Sequence, residues 1–295
     1  MFELIDTIPQ PPIIKVIGVS NHANSILNVF TQEEFDYGRF SLTTIIDAIG
    51  DSRLLGYEYI HRKKDQITLP NVKTDNFPRG SLSSFVTDSD LVLITVCIDD
   101  VDSLTSTVAL AQFLKEHEIL SSIIFTTPDT DKYIKCIEST FDQLLLVADS
   151  VIKIPWGSSH QSQVSDKVTN IESLPTLQVI SVLRLIVSMI LDCGPIGIDF
   201  NDVRIALEAP ERLMIFAKCN SCSLDIATQQ VISSFSQDEW SKASSVMIRV
   251  STTQLDLDEI GDVMEPICEL VSEDCIATVG VFISKDDYSV EVLLG

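Results

Sequence analysis

Three groups of residues have the types and spacing that chemistry requires. Asp199 and Asp202 stand three apart in the segment Gly194-Pro-Ile-Gly-Ile-Asp-Phe-Asn-Asp-Val-Arg204. A carboxylate pair at fixed spacing can orient and polarise a water molecule. Ahead of a helix-like stretch, the same pair is also an N-cap followed by an acid that favours the helix dipole. The two roles are compatible. Asp99, Asp100 and Asp102 form a second group, with the hard oxygen ligands that suit magnesium. Cys219 and Cys222 form the third, a lone CxxC pair. Tetrahedral zinc usually takes four ligands, and neither a second pair nor a His partner accompanies it. Packing of reduced thiols is the expected role, and no metal site is assigned.

The elements that must position these residues follow from hydrophobic pattern. Residues 12–19 (PIIKVIGV) are an apolar, β-branched run, as in a strand buried on both faces. An amphipathic stretch follows from Asn24 to Glu34, then a second strand over 40–49. Residues 50–80 are polar and broken by Gly56, Pro70, Pro78 and Gly80. Leu91–Ile98 reads as a buried strand, Leu104–Glu118 as a helix, and Leu120–Phe125 and Leu144–Ile154 as further strands. Alternation of this kind predicts right-handed βαβ units and a parallel sheet. After a serine-rich loop over 156–170, an apolar helix runs through Leu191. Strands at 245–250, 276–283 and 289–294, with a helix over 257–271, predict a smaller α+β unit. The fold class is therefore α/β with a smaller α+β portion at the carboxyl end.

Composition bounds the partners. The chain has 295 residues, 45% of them hydrophobic, and a formal net charge of −23. That charge opposes nonspecific binding to nucleic acid and anionic membrane, which both need a basic surface. The compact basic cluster His61-Arg62-Lys63-Lys64 reads as a solvated loop. No apolar run reaches the ~18–20 residues of a membrane span. The start lacks a signal-peptide pattern. Seven cysteines, an odd number, fit a reducing compartment. The expected location is the cytoplasm.

Several segments in order resemble the bacterial tubulin family, FtsZ. PIIKVIGV is similar to its opening strand. Asp90-Leu-Val-Leu-Ile94 through Leu120 lies on the family pattern without a gap. Asp149-Ser150 with Ile152, Ile154 and Pro155 resembles DSLITIP. Asp199-Phe200 and Asp202-Val203-Arg204 match the synergy loop, with Gly197 where the family has Asn. Leu257-Asp258-Glu259 with Ile260-Gly261 resembles LDEFETVG. The resemblance implies a degenerate nucleotide-type α/β domain over 12–170, a central helix over 171–191, and a synergy loop with a carboxy-terminal α+β domain over 192–295.

It also implies a site of which half is missing. The family holds GTP on glycine-rich loops, whose backbone adopts positive φ and approaches the phosphates closely. Here Ser20, Asn21, His22 and Ala23 follow the first strand. The second loop, GGGTGTG, corresponds to the segment containing Asp99, Asp100 and Asp102. A carboxylate ~5 Å from a phosphate costs about 3 kcal/mol at an effective dielectric near 20, so two pairs cost roughly four orders of magnitude in affinity. Magnesium ligated by these aspartates offsets part of this. Near Leu174-Pro175-Thr176-Leu177 the family's guanine-reading Asn-Asp is also absent.

In the family, Asp199 and Asp202 would act in trans on the GTP of the next subunit. The expected protein is a non-GTPase assembly protein without a cofactor, associating through the tubulin-type longitudinal interface. It would cap or modulate FtsZ filaments, or assemble with itself. The alternatives are a divergent cytoskeletal GTPase and a non-polymerising scaffold for an unrelated partner. Ending at Gly295, the chain is expected to lack the family's terminal tether to the membrane.

Overall fold

The fold is known from a computed structural model that describes residues 12–19, 21–30, 38–45, 54–61, 85–97, 101–127, 134–155, 174–192, 194–284 and 288–295. Among them the strands are β1 (Ile14–Gly18), β2 (Gly38–Ile45), β3 (Leu54–His61), β4 (Leu91–Cys97), β5 (Leu120–Thr127), β6 (Ser150–Pro155), β7 (Leu213–Ser221), β8 (Ser245–Thr252), β9 (Ile276–Ile283) and β10 (Tyr288–Leu294). They form one ten-stranded sheet in the order β2-β3-β1-β4-β5-β6-β7-β10-β8-β9. The run β1-β4-β5-β6-β7 is parallel throughout. β10 runs antiparallel to both β7 and β8, whereas β8 and β9 are parallel. The expected α/β class holds, with antiparallel pairing added at both sides of the parallel centre.

Apolar runs became interior strands because both their faces are covered. Val16, Leu93, Ile124 and Ile152 pack under α4 (Leu174–Leu191), while Ile17, Val92, Ile94 and Ile123 pack under α2 (Val101–Glu116) and α3 (Ile134–Val147). The register Ile152↔Met214 carries the first face on into β7, where it continues through Met247, Phe282 and Leu293. Val246, Val290 and Val292 cover the second face beneath α6 (Leu224–Ile232), α7 (Gln237–Lys242) and α8 (Leu257–Cys268). α1 (Asn21–Phe30) sends Ile26, Leu27 and Phe30 into the core that α4 shares.

α4 is the central element. Val179, Val182, Leu183, Leu185, Ile186, Val187 and Met189 are all buried, so apolar residues occupy nearly its whole circumference. Such a pattern suits a helix covered on all sides. It touches both the parallel strands and α5 (Phe200–Leu207).

Two sequence expectations change. The Leu144–Val147 part of the expected strand is the last turn of α3, and the strand starts only at Ser150. Leu144 enters the core, whereas Leu146 is 68% exposed, a one-sided pattern that suits a helix end. Arg212 Nη1 donates to the carbonyls of Leu145 and Ala148, and Lys115 Nζ to that of Leu146. These long-range donors satisfy carbonyls that the helix leaves unbonded. The polar stretch after residue 50 contains β3, held between β1 and β2 by antiparallel ladders.

A charge cluster is buried across β7, β10 and β8. Glu291 is fully buried and stands opposite Lys218 and Arg249 in register. Its Oε1 lies 2.7 Å from Lys218 Nζ and 3.3 Å from Arg249 Nη1. Arg249 also sits over the Phe282 ring, 4.6 Å from its centroid. Removing one member of a buried ionic group strands the others without compensation. Glu291→Ala should therefore lower stability by about 3–5 kcal/mol in chemical denaturation, whereas apolar replacement of all three charges should cost far less.

Candidate functional site

The acidic pair is positioned by the connection that leaves α4. Gly194 passes so close to β9 that a Cβ there would lie 2.0 Å from the Val281 carbonyl oxygen. Ile196 then bridges Val281, whose N–H donates to the Ile196 carbonyl at 2.9 Å. This contact fixes the chain three residues before Asp199. Gly197 has open space around its Cβ position, with Gly194 O the nearest neighbour at 3.9 Å. The Asn that the resemblance leads one to expect there is sterically acceptable.

Asp199 and Asp202 form a reciprocal capping box on α5. Asp199 Oδ1 accepts from the Asp202 N–H at 2.9 Å, and Asp202 Oδ2 accepts from the Asp199 N–H at 3.2 Å. Asp199 has extended backbone, as an N-cap requires. The helix is held from below by Val203, Ala206 and Leu207, all buried. Both aspartates are exposed. Each carboxylate retains an oxygen that the cap does not use. The capping role is thus realised, and it leaves acceptor capacity for a water or a partner. Arg204 pairs with Glu208 at 3.0 Å along the helix rather than with either aspartate.

The positions that correspond to the family's glycine-rich loops lie elsewhere. β1 and β4 are parallel neighbours with Gly18 opposite Thr95. Val19 N–H donates to the Thr95 carbonyl at 2.9 Å, tying their carboxyl ends together. α1 starts at Asn21 and α2 at Val101, so both expected loops leave the same end of the sheet. Asn21 and His22 open α1, Ala23 is buried within it, and Asp102 is the second residue of α2. Ser20, Asp99 and Asp100 lie outside the described residues. Two residues, Val19 and Ser20, separate β1 from α1. By contrast, the path through Asp199 returns to β7, whose early residue Leu213 pairs with Val151 at the amino end of β6. The sheet thus separates that return from the β1 and β4 loops by a strand length, about 23 Å for seven residues.

The two thiols differ in environment. Cys219 is buried and Cys222 exposed, both as free thiols. Burial pushes the Cys219 thiol above its ordinary range, with a hydrogen bond from Ser234 opposing this. Among the described residues, no group of three or more His, Cys, Asp or Glu could hold a metal ion. No helix among them is long and apolar enough to cross a membrane.

Comparison with known proteins agrees with this architecture. No family model matches the chain. The cell division protein FtsZ of Coxiella burnetii is 23% identical over 308 aligned residues, covering 97% of this chain and 78% of that protein. The structure of an empty FtsZ dimer from M. jannaschii superposes with a TM-score of 0.59 at 20% identity, over 72% of this chain and 65% of that one. CetZ from Methanosaeta thermophila gives a TM-score of 0.56 at 15% identity, over 70% of this chain and 61% of its own. The chain therefore spans less than two thirds of these solved structures. Its fold is of the FtsZ/tubulin type.

Sequence reasoning identified Asp199 and Asp202 but not the role of Gly194. Glycine followed by Pro195 marks a turn, but the need for glycine comes from β9. Gly194→Ala should force the loop away from Val281 and lower the melting temperature. Gly197→Asn should leave it within error. Calorimetric melts of the two variants check the contrast.

Proposed function

We propose that this chain is an FtsZ-type assembly protein that works without a nucleotide of its own. Its 194–202 segment docks on the nucleotide-bearing face of a conventional FtsZ subunit and modulates or caps the filament. The observation that carries this reading is the rigid presentation of Asp199 and Asp202. They are exposed, fixed by their mutual cap and by the Gly194–Val281 contact, and each has an unused carboxylate oxygen. A segment serving only to cap α5 would not need that second anchor.

The chemistry of such docking is electrostatic. Carboxylates placed beside a bound nucleotide can orient the attacking water, because phosphoryl transfer depends on positioning more than on covalent participation. The chain's own loops are poorly suited to receive such a segment in turn. Ser20, Asn21, His22 and Ala23 replace a glycine run, and Asp99, Asp100 and Asp102 add negative charge where phosphates would sit. Docking would then be one-sided, the property that makes a cap rather than a link. The magnesium-dependent GTPase and self-assembly readings make opposite demands on those loops.

The test has two arms. Titration calorimetry with GTP and GDP, with and without magnesium, should give no affinity at micromolar or tighter; such affinity would revive the GTPase reading. Steady-state GTP hydrolysis by conventional FtsZ should change on titration with wild-type protein. The double variant Asp199→Asn, Asp202→Asn should lose that effect while melting like wild type, since Asn is a comparable N-cap. Equal effects from the two proteins, or none from either, would leave helix capping as the whole role of the pair.

A further inference from the structure

A second surface lies at the end of β9, beyond the contact that Gly194 and Ile196 make with Val281. At the carboxyl end of β8 and β9, three large apolar side chains face solvent: Leu255 at 45%, Leu257 at 67% and Ile283 at 53% exposure. Their backbone is well defined. Thr252 pairs with Ile283 in register, and the Ser284 N–H donates to the Thr252 carbonyl at 2.7 Å. The Thr252 hydroxyl donates to the Gln254 carbonyl at 2.8 Å. Asp256 then caps α8 through the Asp258 and Glu259 N–H groups, which places Leu257 in the first turn. β9 is the outermost strand of its side of the sheet, and Ile283 follows the point at which Ile196 covers its edge. In α8, Ile260, Val263 and Ile267 are buried and Met264 is half-buried against the same core, so exposed Leu257 is not part of the core-facing stripe.

Among the described residues, the charge next to this patch in sequence has one sign; Lys285, Asp286 and Asp287 lie outside them. Residues 250–284 contain eight Asp or Glu and no Lys, Arg or His. Asp258, Glu259, Asp262 and Glu265 are exposed along α8. Among the described residues, none of the eight carboxylates enters an ion pair. Elsewhere exposed acids do find cations, as Asp238 does with Lys242 and Glu208 with Arg204. A symmetric second copy would set Asp258, Glu259 and Asp262, which accompany Leu257 at the start of α8, against their own counterparts, and like-charge juxtaposition is strongly unfavourable. A cationic surface with apolar side chains among its charges complements the patch in both respects.

We propose that Leu255, Leu257 and Ile283, ringed by the carboxylates of α8, form a docking surface for a basic, amphipathic protein segment. Leucines supply the buried centre and the acids a salt-sensitive rim, the usual division of labour in an interface. This site adjoins the 194–202 segment through Val281 but does not include Asp199 or Asp202, which its test leaves unchanged.

The probe is an 18-residue amphipathic peptide of Lys and Leu, read by fluorescence anisotropy. Two control peptides replace its Leu by Ser or its Lys by Glu. The Lys/Leu peptide should bind at least tenfold more tightly than the Lys/Ser peptide, and the Glu/Leu peptide should not bind. Leu255→Ser with Leu257→Ser should weaken the Lys/Leu peptide at least tenfold and leave the Lys/Ser peptide unchanged. Asp258→Asn with Glu259→Gln and Asp262→Asn should weaken both lysine peptides. Ile283→Ser gives an independent check, and a thermal melt of each variant establishes folding. Equal affinity for the two lysine peptides, or Lys/Leu binding that ignores the leucine changes, would reduce the effect to general attraction by a chain of charge −23 and overturn the proposal. Self-association in the ultracentrifuge that disappears in the leucine variant would also overturn it, in favour of a second copy.

Discussion

Helix α4 carries apolar side chains on nearly every face, and it can be buried only if strands and helices surround it. The strands β1, β4, β5 and β6 cover one part of it through Val16, Leu93, Ile124 and Ile152, while α1 and α5 close other parts. Met214, Met247, Phe282 and Leu293 extend the same core under the later strands. Truncating one large side chain in such a helix would typically cost 2–5 kcal/mol, because neighbours on several sides lose contact at once. This single requirement joins the amino- and carboxy-terminal parts of the sheet into one packing problem. It also fixes where the chain emerges at Leu191, and therefore where the acidic segment begins.

From that exit, local chemistry takes over. Gly194 permits a backbone approach to β9 that no side chain would allow, Ile196 adds a bridge, and the Asp199–Asp202 box starts α5. A structural task and a possible task in trans share the same two carboxylates without conflict, since the cap uses one oxygen of each. The opposite outcome holds for Glu291, Lys218 and Arg249. Their charges are consumed internally, yet Glu291 Oε2 and Arg249 Nε have no protein partner. Burying that cluster carries a cost in desolvation.

The central strands were legible because burial on both faces writes an apolar, β-branched run into the sequence. PIIKVIGV and Leu91–Cys97 needed no further context. β3 was obscured: Leu55, Tyr57 and Tyr59 alternate with Gly56 and Glu58 as strand residues do, but Gly56 and the basic, proline-bearing stretch that follows read as loop, and ladders with β1 and β2 hold the strand. Leu144–Val147 misled for the converse reason: a short apolar run is ambiguous, and the donors that terminate α3 there, Arg212 and Lys115, are remote in sequence. At the site, the Asp199–Asp202 spacing announced a cap directly. The clamp at Gly194 could not be read, because Val281 lies far along the chain.

Taken with the FtsZ/tubulin-type fold, these features describe a molecule whose acidic segment is built with care while its opposite loops depart from the glycine-rich pattern. Under the proposed function the molecule is polar: one end engages a filament, and the other does not extend it. Electron cryo-microscopy of conventional FtsZ filaments, assembled with GTP in the presence of this protein, tests that polarity most directly. The account predicts its density only at the filament end that exposes nucleotide, with residues 194–202 toward that nucleotide. Copies embedded within the filament with FtsZ on both sides, or filaments of this chain alone, would contradict it.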